Sequence, residues 1–250
     1  MNTLLFRLEG PLQAWGLRAR WGERDTTDAP TKSGVIGLIG CALGLRRDDD
    51  RLRILSETYR FGVRIDRPGT LLRDYHATGG GKYGDEHQDG GTRYADQPYV
   101  GGLPSAQTNK GRVYVKLETD ISNRFYLMDA SFLAAMQGGS DAELEEIVYA
   151  LDNPVWPYFL GRKSCVPSER VFAGVIDATN LQEALGKLPL ADRGRWPVRA
   201  LIESGPHEGN RQNDNVAVPG RRLFAPRYVM ETQIDDPKAK RSVSINTLEG

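Results

Sequence analysis

Histidine and cysteine are scarce in these 250 residues, at three and two, and the shortage removes whole classes of chemistry. Cys41 sits in an apolar stretch and Cys165 in a predicted loop, so neither a disulfide framework nor a cysteine quartet for zinc is available, and a reducing compartment is expected. His76, His87 and His207 are scattered, and no Ser-His-Asp order, carboxylate pair or metal-ligand spacing stands out. The chain has no apolar run near the ~20 residues that span a bilayer and no apolar leader at its start; a cytoplasmic protein without membrane contact is expected. An excess of one charge is missing too, with 33 Lys plus Arg against 33 Asp plus Glu, so no global basicity announces a nucleic-acid partner. The charges are unevenly spread, however. Residues 128–152 hold six acids and no base, whereas 193–227 hold seven arginines against three acids, so one face is expected to meet solvent or a basic partner and another an anion.

What is present begins with residues 28–45, DAPTKSGVIGLIGCALGL, which predict a helix with a polar entrance. Thr31 or Ser33 suits its N-cap, where unpaired backbone N–H groups favour an anion, and Lys32 adds a full charge. Gly34, Gly37, Gly40, Cys41 and Gly44 recur at steps of three or four and line one face. Each glycine costs a helix about 1 kcal/mol relative to alanine, which calls for close approach by another backbone, protein or nucleic acid. The motif is neither a P-loop nor a dinucleotide fingerprint, and a tightly packed helix on a sheet competes with anion binding.

Taken in order, TLLFRLE (3–9) predicts a core strand and runs into GPLQAWGLRARWGER, where Trp15 and Trp21 interleave with Arg18, Arg20 and Arg24. Arginine beside aromatics pairs phosphate and stacks bases, although a tryptophan is equally a core anchor. A short helix is predicted over 48–60, strands over 59–66 and 70–76, and then a segment, 74–111, with nine glycines, four tyrosines and almost nothing aliphatic. So little to bury implies a projecting hairpin, disorder or completion by a partner. Strand character returns at 110–118, with Arg112, and FYLMDASFLAAM (125–136) reads as one buried strand. Ser140 and Glu143 form a capping-box signature before a helix ending near Pro154. The apolar PVWPYFLG is read as a central strand, delivering the turn GRKSC, in which Gly161, Arg162, Lys163 and Ser164 suit phosphate oxygens or form a plain basic turn. A strand at 170–178, a helix capped by Thr179, and two strands of a separate small C-terminal sheet complete the reading. The order predicts an α+β, split βαβ, ferredoxin-like domain over 1–190 with an insertion at about 74–111, and a small β-rich domain over 191–250.

Three separated stretches, GPLQAWG with APTKSGVIGLIGCALGL, FYLMDASFLAAM, and PYFLGRKSCVPS, resemble the CasD family, the handle-binding subunit of the type I-E CRISPR Cascade complex. The resemblance covers most of residues 3–232. It implies an RRM-like core of the RAMP superfamily with a thumb hairpin, bound to the 5′ handle of crRNA. The neighbours it implies are CasC backbone subunits and the large subunit CasA, with target DNA met only through the complex and no cofactor needed. By position, the RNA-facing set it implies comprises Trp15, Arg20, Arg24, Lys32, Ser33 and Gly34, with Gly37 on the same helix. It continues with Tyr75 and His76 at the foot of the thumb, Arg112 at its return, and Gly161, Arg162, Lys163 and Ser164. A metal-independent endoribonuclease using His76 and Tyr75 is the enzymatic alternative, and a purely structural assembly protein the third.

Overall fold

The protein is described by a computed structural model covering residues 2–17, 22–78, 104–109, 112–117, 120–221 and 223–236, with backbone alone at 78, 104–109, 112–117 and 120. In chain order the elements are β1 (Asn2–Glu9), β2 (Leu12–Gln13), β3 (Glu23–Arg24), α1 (Lys32–Leu43), α2 (Arg51–Thr58), β4 (Arg60–Arg67) and β5 (Thr70–Thr78). There follow β6 (Pro104–Asn109), β7 (Arg112–Leu117), β8 (Asp120–Met128), β9 (Ser131–Gln137), α3 (Asp141–Asp152), β10 (Phe172–Asp177), α4 (Leu181–Lys187), β11 (Val198–Ser204), β12 (Asn210–Val218) and β13 (Leu223–Ile234). Two compact units are distinguished: residues 1–17, 25–72 and 126–250, and residues 18–24 and 73–125.

The first unit is built on a seven-stranded antiparallel sheet in the order β10-β1-β9-β4-β11-β13-β12. Two helical crossovers, α1 with α2 between β1 and β4 and α3 between β9 and β10, each join parallel strands separated by one neighbour. One face of the sheet, including Leu4, Phe6 and Leu8 of β1, packs with Val35, Ile36 and Ile39 of α1, Leu55 of α2 and Ile147 of α3. The other face, including Leu5 and Leu133 with Ala200 and Ile202 of β11, packs with Leu181 and Leu185 of α4. Being covered on both faces, β1 and β9 read in sequence as apolar runs rather than as alternations. Arg64, 0% exposed, bonds Asp66 and the carbonyls of Leu185, Leu188 and Pro189, fastening the loop after α4.

Local signals are realised where local chemistry suffices. Thr31 caps α1 by accepting from the Gly34 N–H, Gly44 closes it at φ 72°, and Ser140 caps α3. Five expectations are corrected. Residues 125–136 form two strands, because Asp129 adopts φ 55° and is held there by Arg67 and Arg193. PVWPYFLG forms no strand: Pro154 and Pro157 lack ladder donors, and the N–H groups of Val155 and Trp156 instead bond the carbonyls of Ala42 and Cys41 at the end of α1. The strands after 191 make no separate sheet, since β11 pairs with β4 through Ala200, Leu201 and Ile202. The polar stretch expected as a loop contributes β12, whose inward Asp214 is neutralised by Arg227 on β13. The cap of α4 is Asn180 rather than Thr179.

The second unit contains the parallel pair of β3 with β8, matching Arg24 to Arg124, and the antiparallel hairpin of β6 with β7, matching Asn109 to Arg112. The inserted segment expected at 74–111 falls in this unit, and most of it, residues 79–103 and 110–111, lies outside the described residues.

Candidate nucleic-acid interface

The basic turn is closed at its base by buried groups and presents its polar groups outward. The Leu160 N–H donates to the Cys165 carbonyl at 2.8 Å, the Cys165 N–H donates to the Arg162 carbonyl at 2.8 Å, and both Leu160 and Cys165 are fully buried. Between them Gly161, Lys163 and Ser164 are exposed and Arg162 is half-buried. The Arg162 guanidinium lies 4.7 Å over the Tyr126 ring and donates through Nη2 to the Asp25 carbonyl at 3.0 Å, so its plane is fixed before any ligand arrives. Burial pushes the Cys165 thiol up from its ordinary value, which suits packing and not nucleophilic chemistry.

Gly161 is required here. Its φ is 98°, and a Cβ would stand 1.7 Å from the Ala14 carbonyl oxygen. Gly161→Ala is therefore expected to cost about 2–4 kcal/mol and to displace the turn, checked by a lowered urea midpoint.

Segment 13–16 is the common support of the turn and the α1 entrance. The Ala14 N–H donates to the Leu160 carbonyl at 3.0 Å, while the ring of Trp15 fills the space where a Cβ on Gly34 would fall, 2.8 Å away. Trp15 is 1% exposed and donates through Nε1 to Gln13 Oε1 at 3.0 Å, so the base-stacking role expected for it is corrected to that of a core anchor. The glycine face of α1 is likewise not uniform. Gly34 meets Trp15 and Gly40 meets Leu52, both within the chain, whereas Gly37 is exposed with open space where its Cβ would be. Ser33, half-buried, lies four residues before Gly37 and on the same side of the helix.

Lys32 departs furthest from expectation. Its side chain is buried, and Nζ lies 3.0 Å and 3.2 Å from the two carboxylate oxygens of Glu203 on β11. Its N–H donates at 2.8 Å to Asp214, which also accepts from Arg227 at 2.5 Å and 2.9 Å. The anion that the helix entrance favours is thus supplied by the protein's own Asp214. Burial lowers the Lys32 pKa, and Glu203 opposes that shift. Lys32 and Arg162 consequently engage different elements: Lys32 is paired with Glu203 on β11, whereas Arg162 is held by Tyr126 and the Asp25 carbonyl. Tyr126, Glu203 and Asp214 left no local signal in the sequence, being brought in from 36 or more positions away in the chain.

In the second unit Arg24 is exposed on β3, Tyr75 is exposed on β5, and His76 Nδ1 lies 3.6 Å from Asp74 Oδ2. Arg112 opens β7, and Arg20 lies outside the described residues. Among the described residues no group of three His, Cys, Asp or Glu side chains forms a metal cluster, and no helix is long and apolar enough to cross a membrane.

The sequence matches the family described as CRISPR-associated protein (Cas_Cas5) over residues 3–235. It is 34% identical over 195 residues to the CRISPR system Cascade subunit CasD of Escherichia coli (strain K12), covering 74% of this chain and 75% of that one. Its fold resembles a solved structure named "Crystal structure of Cas protein", with a TM-score of 0.65, 33% identity, and coverage of 94% of this chain and 95% of that one. It also resembles a chain of a "CRISPR RNA-guided surveillance complex", with a TM-score of 0.66, 28% identity, and coverage of 98% of this chain and 100% of that one.

Proposed function

Because the chain belongs to the Cas5 family of CRISPR-associated proteins, as a CasD-type member of a type I-E Cascade, we propose that it is a non-catalytic RNA-binding subunit that caps the 5′ handle of crRNA. Its implied protein neighbours are the CasC backbone and CasA large subunits, with target DNA reached through the complex. The strand order β10-β1-β9-β4, with helical crossovers between parallel strands, supports reading the core as ferredoxin-like and RRM-like.

The observation that carries the reading is the outward basic turn with a pre-oriented guanidinium, supported on the same segment as the α1 entrance. Arg162 and Lys163 pair phosphate oxygens, Ser164 offers a hydroxyl donor, Gly161 shapes the turn that carries them with its own N–H given to the Phe159 carbonyl, and Gly37 lets a ribose-phosphate strand approach the outer side of α1. Arg24, Tyr75, His76 and Arg112 of the second unit, with Arg20, complete the proposed RNA-facing set. Lys32 and Trp15 serve beneath it as structural members, and Ser33 lies at its margin. Zero net charge is compatible with this, because an irregular single strand is held by a few placed donors and close backbone contact.

Purification with bound RNA and sequencing of its 5′ ends tests the assignment: a uniform handle sequence is expected, and random ends would defeat it. Incubation of the protein with repeat RNA, with and without chelator, tests the absence of catalysis, since specific cuts lost in His76→Ala would favour the nuclease.

Gly37 offers a further separation of folding from binding. Gly37→Ala fills open space in an exposed helix and is expected to stabilise the protein by about 0.5–1 kcal/mol, read as a higher melting temperature. Gly37→Trp should remain folded but lower RNA affinity roughly 10-fold by blocking the approach. Equal RNA affinity in both variants would remove Gly37 from the interface.

A further inference from the structure

On the first unit, between α3 and the outermost strand β10, lies a groove of about 540 Å³, a volume in the range of built binding pockets. Leu144, Val148, Tyr149 and Val175 supply its apolar surface, and Asp141 and Glu145 stand beside them on the same helix. Tyr149 is 70% exposed and Val175 is 41% exposed, a cost in hydrated apolar surface that an isolated chain has no reason to carry. No strand among the described residues pairs with β10 on the side away from β1, so the sheet is open at this groove.

Three carboxylates line the groove, Asp141, Glu145 and Asp152; Asp152 is paired with Arg170, so Asp141 and Glu145 decide what fits. A phosphate backbone would meet like charge at Asp141 and Glu145, and the groove offers no lysine or arginine among its lining residues. An aromatic wall, an aliphatic floor and acidic flanks instead match an apolar side chain carried next to lysine or arginine in a polypeptide. We propose that this groove is a protein-docking surface that receives an apolar anchor with a basic flank from a neighbouring protein subunit. RNA is held elsewhere, at the turn and the α1 face.

The test uses the intact complex purified with its RNA and protein subunits, with the photocrosslinking residue p-benzoylphenylalanine at position 149 and, as a control, at exposed position 54 on α2. An adduct from position 149 to a protein subunit, mapped to a peptide with lysine or arginine beside the linked apolar residue, is the expected result. A companion variant carrying Tyr149→Asp and Glu145→Lys should lose subunit co-purification by roughly 10-fold while the isolated chain retains handle RNA within about 2-fold. An adduct to RNA, an adduct no stronger than that from position 54, or unchanged co-purification of the double variant would overturn the proposal. Those outcomes leave the RNA assignment intact, because that assignment is read independently from variants of the basic turn.

Discussion

Replacing Arg162 and Lys163 together by alanine is expected to weaken retention of handle RNA by about 100-fold, from two charge-assisted phosphate contacts at about 1.5–3 kcal/mol each, reduced for partial exposure. The dependence of log affinity on log salt should become shallower by about 1.4, from ~0.7 per phosphate contact on a single strand. Reversal of both charges to glutamate should approach 1,000-fold, roughly, because repulsion is added to the lost contacts. The fold should tolerate these changes. Lys163 is exposed, and the loss of the Arg162 stacking on Tyr126 and of its bond to the Asp25 carbonyl costs about 1–2 kcal/mol. Arg162→Lys is the informative intermediate: it keeps the charge but loses the planar fork held by Tyr126 and Asp25, so affinity should fall about 5- to 10-fold with the salt slope nearly unchanged. Filter binding from 50 to 300 mM salt, roughly, covers the range needed. An unchanged slope in the double alanine variant would take the turn out of the interface.

How far the sequence carried the reading follows from the range of the forces involved. Thr31 and Gly44 bracket α1 because capping is decided within a few residues, and Ser140 announces α3 for the same reason. The basic turn was visible because its glycine and its cations are contiguous. Its rigidity was not, since Tyr126 and Asp25 arrive from distant elements. Lys32 shows the limit most clearly. At a helix entrance a lysine reads as a free charge, and only the placement of Glu203 and Asp214 by β11 and β12 makes it a buried partner. Of those strands, β11 is expected from sequence in a separate sheet and β12 as a loop. A polar stretch such as Asn210–Val218 signals a loop unless the arginine that neutralises its inward aspartate is known to face it. In PVWPYFLG the apolar content suggests a central strand, while Pro154 and Pro157, which cannot donate to a ladder, argue against one.

Asp214→Ala should be among the most damaging single substitutions in the chain, at about 3–5 kcal/mol. The carboxylate is 0% exposed and satisfies two groups at once: the Arg227 guanidinium at 2.5 Å and 2.9 Å, and the first N–H of α1 at 2.8 Å. Alanine leaves a buried cation without a counter-charge and a helix start without its anion, and both penalties act in the interior where water cannot answer them. Against a typical total of about 5–15 kcal/mol, such a loss removes a large share of the stability, so the urea midpoint should be followed with stabilising osmolyte present. Asp214→Asn keeps the shape and one acceptor and should lie between the two. Adding Arg227→Met to Asp214→Ala should restore part of the loss, since removing both charges costs less than stranding one. Where the variants are folded, the RNA salt slope should match that of the parent protein, in contrast to the turn variants. Should Asp214→Ala instead fall within about 1 kcal/mol of the parent and take up inorganic phosphate, the α1 entrance would be an anion site after all, and Lys32 would return to the RNA-facing set.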